Sequence, residues 1–194
     1  TFSQMRDQIR ELFESYSGSR LMNGLVRIGG LALDLPVGWG TRCLEVIHKL
    51  DRVVDDVELE LTKNPSWLMF HGEGGVLASD ALDWGFSGPC LRACGVNYDL
   101  RKNSPYYFYQ DVEFEIPLGI NGDPYDRYLV RINEMRQSLR IISQVLDHIP
   151  SGAVITDDPR LMPANSNMNI SSSEYAKHFD LYQNGPQLAA GEYY

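Results

Sequence analysis

The chain has 194 residues, 43% of them apolar and 22% charged, which suits one domain or a large part of one and excludes two complete enzymes. Its 17 Lys and Arg against 26 Asp and Glu leave a net charge of −9, which argues against a free-standing nucleic-acid binder, since such a protein needs basic surface to displace counterions. The longest apolar runs, such as LVRIGGLALDLP, are interrupted by Arg27 and Asp34 well short of the ~20 residues that cross a bilayer, so the chain reads as soluble or peripheral to a membrane.

From Phe2, the apolar positions Phe2, Met5, Ile9, Leu12, Phe13 and Tyr16 step by three and four, which places them on one face of a helix ended by Gly18 or Gly24. After the turn-rich GGLALDLPVGWG, Thr41 is the expected cap of a second helix. Its stripe of Val46, Ile47, Leu50, Val53, Val54, Val57 and Leu61 runs until Asn64-Pro65 stops it. A third helix is expected from Asp123 as N-cap and Pro124 at the first position, with Leu129, Ile132, Met135, Leu139, Ile142, Val145 and Ile149 as its stripe and Pro150 as its stop. A fourth covers Ser172 to Tyr182. Between the second and third helices, residues 67–122 read as irregular, with a strand only at Val112–Pro117, and the Pro- and Asn-rich stretch 151–171 reads as an extended surface segment. Loops this long are usually functional or packed onto something else. The expected class is mainly α with minor β. The organisation is a helical core over 1–64 and 123–149, an irregular insert over 65–122, and a tail with a short helix over 150–194, all one fragment of a larger domain.

Local chemistry excludes more than it assigns. Cys43, Cys90 and Cys94 form no CxxC pair, and His48, His71, His148 and His178 have neither HxH nor HExxH spacing, so no metal site is expected and the thiols read as buried. The HGEGG loop at 71–75 lacks the following Lys-Ser/Thr of a phosphate loop and sets Glu73 where an anion would sit, which favours an ordinary turn. No nucleophile signature or singular carboxylate pair marks a catalytic residue. Arginine accompanies glycine in three segments, SGSR at 17–20, RIGG at 27–30 and GPCLRACGVNYDLRK at 88–102, and Arg127, Arg131, Arg136 and Arg140 flank the third helix's stripe. Two readings stay open for them: internal salt bridges, to Asp34, Asp83 or Asp99 for example, or a polar seam against another subunit.

Four blocks, YSGSRLMNGLVRIGGLALDLPVGW, ALDWGFSGPCLRACGVNYDLRKNSPY, EIPLGINGDPYDRYLVRINEMRQSLRII and KHFDLYQNGPQLAAGEYY, resemble successive segments of one family. That family is the hydrogenase-large-subunit-like, D-type subunit of NADH:quinone oxidoreductase, respiratory complex I. The resemblance covers almost the whole chain and corresponds to the middle of the subunit. It implies the helical-bundle core of the nickel-iron hydrogenase large-subunit-like fold, incomplete in this chain, and a role in scaffolding electron transfer from a terminal iron-sulfur cluster in a neighbouring subunit to quinone at a composite site. The family's quinone-facing His and Tyr, the Asp that partners that His, and its closing GxVDR-type segment have no counterpart here. Companion amino- and carboxy-terminal fragments of the same subunit are therefore implied as partners, beside the iron-sulfur subunit and the other subunits of the complex. Neither metal nor nicotinamide is expected on this chain, and alone it is expected to be inactive.

By resemblance, Arg20, Met22 and Arg27 neighbour the cluster, with Met22 where relatives commonly carry a His. A thioether cannot titrate as an imidazole does. The same resemblance makes Arg92, Asp99, Arg101 and Arg131 candidates for a subunit interface, makes Tyr106–Tyr109 contact surface, and sets Glu73 where relatives usually have an apolar residue. The implied location is the matrix side of the mitochondrial inner membrane, or alternatively the cytoplasmic face of a bacterial plasma membrane. Two other readings are a non-catalytic scaffolding or assembly remnant and a part of a related membrane-bound hydrogenase-type complex, whose CxxC pairs would come from companion chains.

Overall fold

A computed structural model describes residues 2–27, 29–156, 172–185 and 188–191. Helix α1, Phe2–Ser17, follows the expected stripe, and Gly18 ends it at φ +75° with its N–H on Glu14 O at 2.8 Å, the left-handed closure that glycine adopts without a Cβ penalty. A two-stranded antiparallel hairpin follows, β1 (Val26–Arg27) with β2 (Gly30–Leu31). Gly30 also bridges to Ile155, and Leu31 N–H and Thr156 N–H bond Val154 O and Gly29 O, each at 2.8 Å. At φ +142° a side chain on Gly30 would strike Val154 O, so the return segment can lie against the hairpin only because this residue is glycine.

Helix α2 spans Trp39–Thr62. Thr41 is therefore not its cap: Trp39 N–H already bonds Pro36 O at 3.0 Å, so the first turn is set by the proline-containing turn, three residues earlier than side-chain capping suggests. After Thr62, Asn64 accepts the Ser66 N–H at 3.0 Å and caps a short helix α3, Pro65–Leu68. The segment read as irregular holds three further short helices, α4 (Ala78–Asp83), α5 (Gly88–Ala93) and α6 (Leu100–Asn103), and a 3-10 turn at Tyr109–Asp111. Four to six residues are too few to display a helical period, which is why the pattern missed them.

The strand expected at Val112–Pro117 does not form. Its alternation is real, because Val112 and Phe114 are buried against Ile141 while Glu113 and Glu115 are exposed. Its backbone partners are side chains instead of a neighbouring strand: Glu113 N–H donates to Gln144 Oε1 at 2.9 Å and Glu115 N–H to Gln137 Oε1 at 3.0 Å. Both glutamines stand on helix α7, Pro124–Asp147, whose N-cap is Asp123 as expected. The buried face of α7 carries Val130, Ile132 and Ile141, whereas Ile142 of the expected stripe is exposed. Helix α8, Ser172–Asn184, contains the fourth expected helix. The expectation for 151–171 lies outside the described residues beyond Thr156.

The chain divides into two compact units, one of Thr1–Met5 and Gly40–Ile149, the other of Arg6–Trp39 and Pro150–Tyr194. In the first, Gly40 of α2 meets Leu146 of α7 and Arg136 of α7 pairs with Asp55 and Glu58 of α2, so the two long helices run antiparallel. A second packed cluster joins Ala81 of α4, Leu91 of α5 and Cys94, with Val76, Phe86 and Val96 around it. In the second unit, Tyr16 and Trp39 rings meet at 5.9 Å and Trp39 Nε1–H donates to Leu12 O at 3.1 Å. Among the described residues the molecule is mainly helical, with one short hairpin as its sheet, and among them no helix is long and apolar enough to cross a membrane.

Candidate functional site

The arginine-bearing turns fall in different units and environments. In the second unit, Ser17 at the end of α1 organises the turn that follows: its hydroxyl donates to Phe13 O at 2.7 Å and accepts the Ser19 N–H at 3.2 Å. Ser19 Oγ in turn accepts the Met22 N–H at 3.3 Å. This ladder of short side chains presents the next residues outward, and Leu21, Met22 and Val26 are all exposed. Arg20 Nε bonds Glu14 Oε2 at 2.7 Å, and Glu14 holds the guanidinium above its ordinary pKa through that bond and its charge. Arg27 Nε bonds Gly24 O at 3.4 Å. All three expected cluster neighbours, Arg20, Met22 and Arg27, are thus exposed on one turn and hairpin.

In the first unit the polar groups are turned inward. Arg92 on α5 places Nε 2.7 Å from Glu134 Oε1 of α7, with Nη2 on the same oxygen, while Nη1 bonds Tyr98 O at 3.1 Å and lies 3.7 Å from Asp99 Oδ2. Asp99 caps α6, and both its oxygens accept from Arg101, Oδ1 from Nε at 3.0 Å and Oδ2 from Nη2 at 2.7 Å. Burial acts to raise the Asp99 carboxyl, but the hydrogen bonds from Arg101 and the charges of Arg101 and Arg92 outweigh it and hold the group below the usual carboxylate range. The Arg101 guanidinium lies 4.8 Å from the Phe114 ring centroid, a cation–π contact. Of the four interface candidates, Arg92 and Asp99 are buried with internal partners, Arg101 is half-buried, and Arg131 is exposed.

Beside this network, the turn at 119–126 ties three segments together. Gly119 N–H bonds Arg92 O at 2.9 Å, Gly122 N–H bonds Ala93 O at 3.1 Å, and Gly122 O receives Val76 N–H at 3.3 Å. A side chain on Gly122, at φ +63°, would strike Val76 O. Asp123 is fully buried and uses both oxygens, accepting Asp126 N–H at 2.6 Å on Oδ1 and Gly72 N–H at 2.7 Å on Oδ2, with His71 Nδ1 4.0 Å away. Burial again pushes this carboxyl up, and the backbone donors and His71 outweigh it, so it stays below the usual range. The HGEGG loop is therefore a turn docked by its Gly72 amide, with Glu73 exposed. Cys43 and Cys94 are buried and Cys90 half-buried. Among the described residues no three His, Cys, Asp or Glu side chains converge to hold a metal.

A profile described as the respiratory-chain NADH dehydrogenase 49 Kd subunit matches residues 1–194. The chain belongs to that family. It is 44% identical over 191 residues to the D-type subunit of NADH-quinone oxidoreductase from Ehrlichia canis and to that from Rickettsia canadensis, and 42% identical to that from Ehrlichia chaffeensis. Each alignment covers 97% of this chain and 49% of the relative, so the chain spans about half the length of these curated relatives. These 49 Kd subunit relatives come from bacteria. Two structural residues of this family member escaped sequence reasoning. Glu134 pairs with an arginine 42 positions away, for which no local signal exists. Asp123 was legible as a cap, but not as the anchor of a loop 51 residues upstream.

Proposed function

We propose that the chain is a portion of the quinone-site subunit of NADH:quinone oxidoreductase, with the hydrogenase large-subunit-like helical core, and that it scaffolds electron transfer between a terminal iron-sulfur cluster and quinone. The observation that carries this reading is the family match along all 194 residues. The cluster belongs to a neighbouring subunit and supplies one electron at a time; what this chain adds is electrostatic. Positive charge from Arg20 and Arg27 beside the cluster favours its reduced form, more strongly where the interface excludes water. Met22 in the same turn exchanges no proton in the physiological range. The exposed apolar side chains around Arg20 suit a contact surface and would be a liability in a lone protein.

In this reading the other subunits of the complex are its partners. The iron-sulfur subunit covers the turn at 18–31, and the buried Arg92–Asp99–Arg101 network shapes the loops behind the interface while Arg131 meets a partner. The complex lies on the matrix side of the mitochondrial inner membrane or on the cytoplasmic face of a bacterial plasma membrane. Subunit mass spectrometry of the native assembly captured through this chain tests it. The expected outcome is the iron-sulfur subunit and the remaining sequence of the quinone-site subunit in one particle that reduces quinone with NADH. A particle without redox subunits would establish the scaffolding remnant instead, and companion chains bearing CxxC pairs with nickel would establish a hydrogenase-type complex.

A further inference from the structure

In the first unit, the loop from His71 to Gly75 is tied to the rest of the fold at few points. His71 N–H bonds Leu68 O at 3.1 Å at its start and Val76 N–H bonds Gly122 O at 3.3 Å just past its end. Between them, among the described residues, the Gly72 N–H alone finds an acceptor, Asp123 Oδ2 at 2.7 Å. Gly72 and Gly74 stand at φ +81° and +62° with open space around them, whereas a side chain on Gly75 would strike Asn121 O. The loop is therefore anchored at Gly75 and able to turn about the two glycines before it. The oxygen that holds Gly72 also lies 4.0 Å from His71 Nδ1, and the imidazole rests on the Tyr125 ring with centroids 5.2 Å apart at 34°. The Asp123 side chain is fully buried while that of His71 is 54% exposed, so the ring exchanges protons with water and the anion it faces is shielded from water.

We propose that His71 and Asp123 form a pH-sensitive latch that holds the 71–75 loop against the start of α7. A protonated imidazole is drawn to the carboxylate and closes the loop; a neutral one leaves the Gly72 N–H as the single polar tie. From α7 the ring is faced by Asp123, by Tyr125 and by the helix N-terminus, whose partial charge of about +0.5 is outweighed by the full charge on Asp123. From its own loop the one charged residue is Glu73, which is exposed and makes no ion pair among the described residues. Carboxylates ordinarily titrate near about pH 4.3 and imidazoles near about pH 6.5, so a change above about pH 5.5 reports the ring. Closure strengthens as pH falls through the imidazole range. It is lost again only when Asp123 is neutralised, and although burial pushes that carboxyl up, the Asp126 and Gly72 amides and the His71 charge hold it below the usual range. Closure also fixes Met69 and Phe70, exposed immediately before the ring, so pH sets how firmly this apolar edge is presented to whatever the chain assembles with. None of these groups belongs to the turn at 18–31, and the latch stands independently of the proposed function.

Hydrogen exchange read by mass spectrometry, on the full chain in the assembly with which it purifies, tests the latch. The peptide over residues 71–76, corrected for intrinsic exchange at each pH, is expected to be about threefold less protected at about pH 7.5 than at about pH 5.5, the scale of a partly exposed ion pair. A peptide over residues 130–141 of α7 is expected to show no such step, which separates loop opening from global loosening. His71→Gln, at an exposed position, is expected to remove the step and leave the loop as open at about pH 5.5 as the unsubstituted chain is at about pH 7.5. Asp123→Asn keeps an acceptor without the charge and is also expected to remove the step; where it loosens α7, the His71→Gln result decides. An unchanged step in His71→Gln, or no step in the unsubstituted chain, overturns the latch.

Discussion

In the segment from Gly88 to Lys102 the side chain of Arg92 is 9% exposed and meets Glu134 and Asp99, which are 18% and 5% exposed. In the turn after α1 the side chain of Arg20 is 52% exposed and meets Glu14, 46% exposed. Both pairs are arginine with carboxylate beside glycine-rich turns, and their sequences look alike. They differ in what water leaves undone. Around Arg92 protein groups have taken the place of hydration, so the pair is part of the fold and its disruption would strand charge inside. Around Arg20 water solvates both partners, so the pair contributes little to folding and the guanidinium is free to act on whatever covers it.

The contrast breaks first at Arg92. Arg92→Met removes the only cation hydrogen-bonded to Glu134 among the described residues and weakens the hold on Asp99, and removing one member of a buried ion pair costs about 3–5 kcal/mol. Arg92→Met with Glu134→Leu removes both charges together and is expected to recover most of that loss. Urea unfolding followed by proteolysis, on the chain in the assembly with which it purifies, measures both. A double variant as unstable as the single one would mean that packing, and not stranded charge, dominates the site.

Asp123 comes next. Asp123→Ala removes an N-cap, about 1 kcal/mol, and leaves the Gly72 N–H without its acceptor, about 1–3 kcal/mol more, for a total of about 2–4 kcal/mol by the same measurement. Asp123→Asn keeps one acceptor and is expected to cost less than half as much. Because the folded carboxyl is held below its unfolded value, its contribution is fully present above about pH 4 and is lost as pH falls through the folded value. The Asn variant is expected to lack that acid-dependent loss.

The two regions were also unequally legible. The helices α1, α2 and α7 announce themselves because an amphipathic stripe repeats over many turns, and the Asp123-Pro124 start of α7 combines two independent signals. The buried network does not, because Arg92 and Glu134 are brought together by the packing of α5 on α7, and nothing local distinguishes Glu134 from the other acids of the chain. The segment Val112–Pro117 shows the opposite error. Its alternation correctly foretold which side chains are buried, but alternation reports burial on one side and not who accepts the backbone hydrogen bonds, and here Gln137 and Gln144 do. The exposed turn was legible only through family resemblance, since neither spacing nor composition marks Met22 as different from any solvent-facing methionine.

Met22 therefore gives the smallest expected effect on stability and the sharpest on function. At 87% exposure, Met22→His is expected to change folding stability by less than about 0.5 kcal/mol, which separates it from every substitution in the buried network. Beside a cluster, an imidazole with an ordinary pKa near about 6.5 would take up a proton as the electron arrives, so the potential would fall by up to about 59 mV per pH unit, the one-electron, one-proton limit, once pH exceeds the imidazole pKa in the oxidised state. With methionine at this position the slope is expected to be weak. Potentiometric titration of the intact complex from about pH 5.5 to about pH 8.5, on either side of the imidazole pKa, compares the two proteins. A full slope with Met22 in place would put the coupled proton on a different residue, whereas a slope that appears only in the Met22→His variant would support the proposed position of this turn beside the cluster.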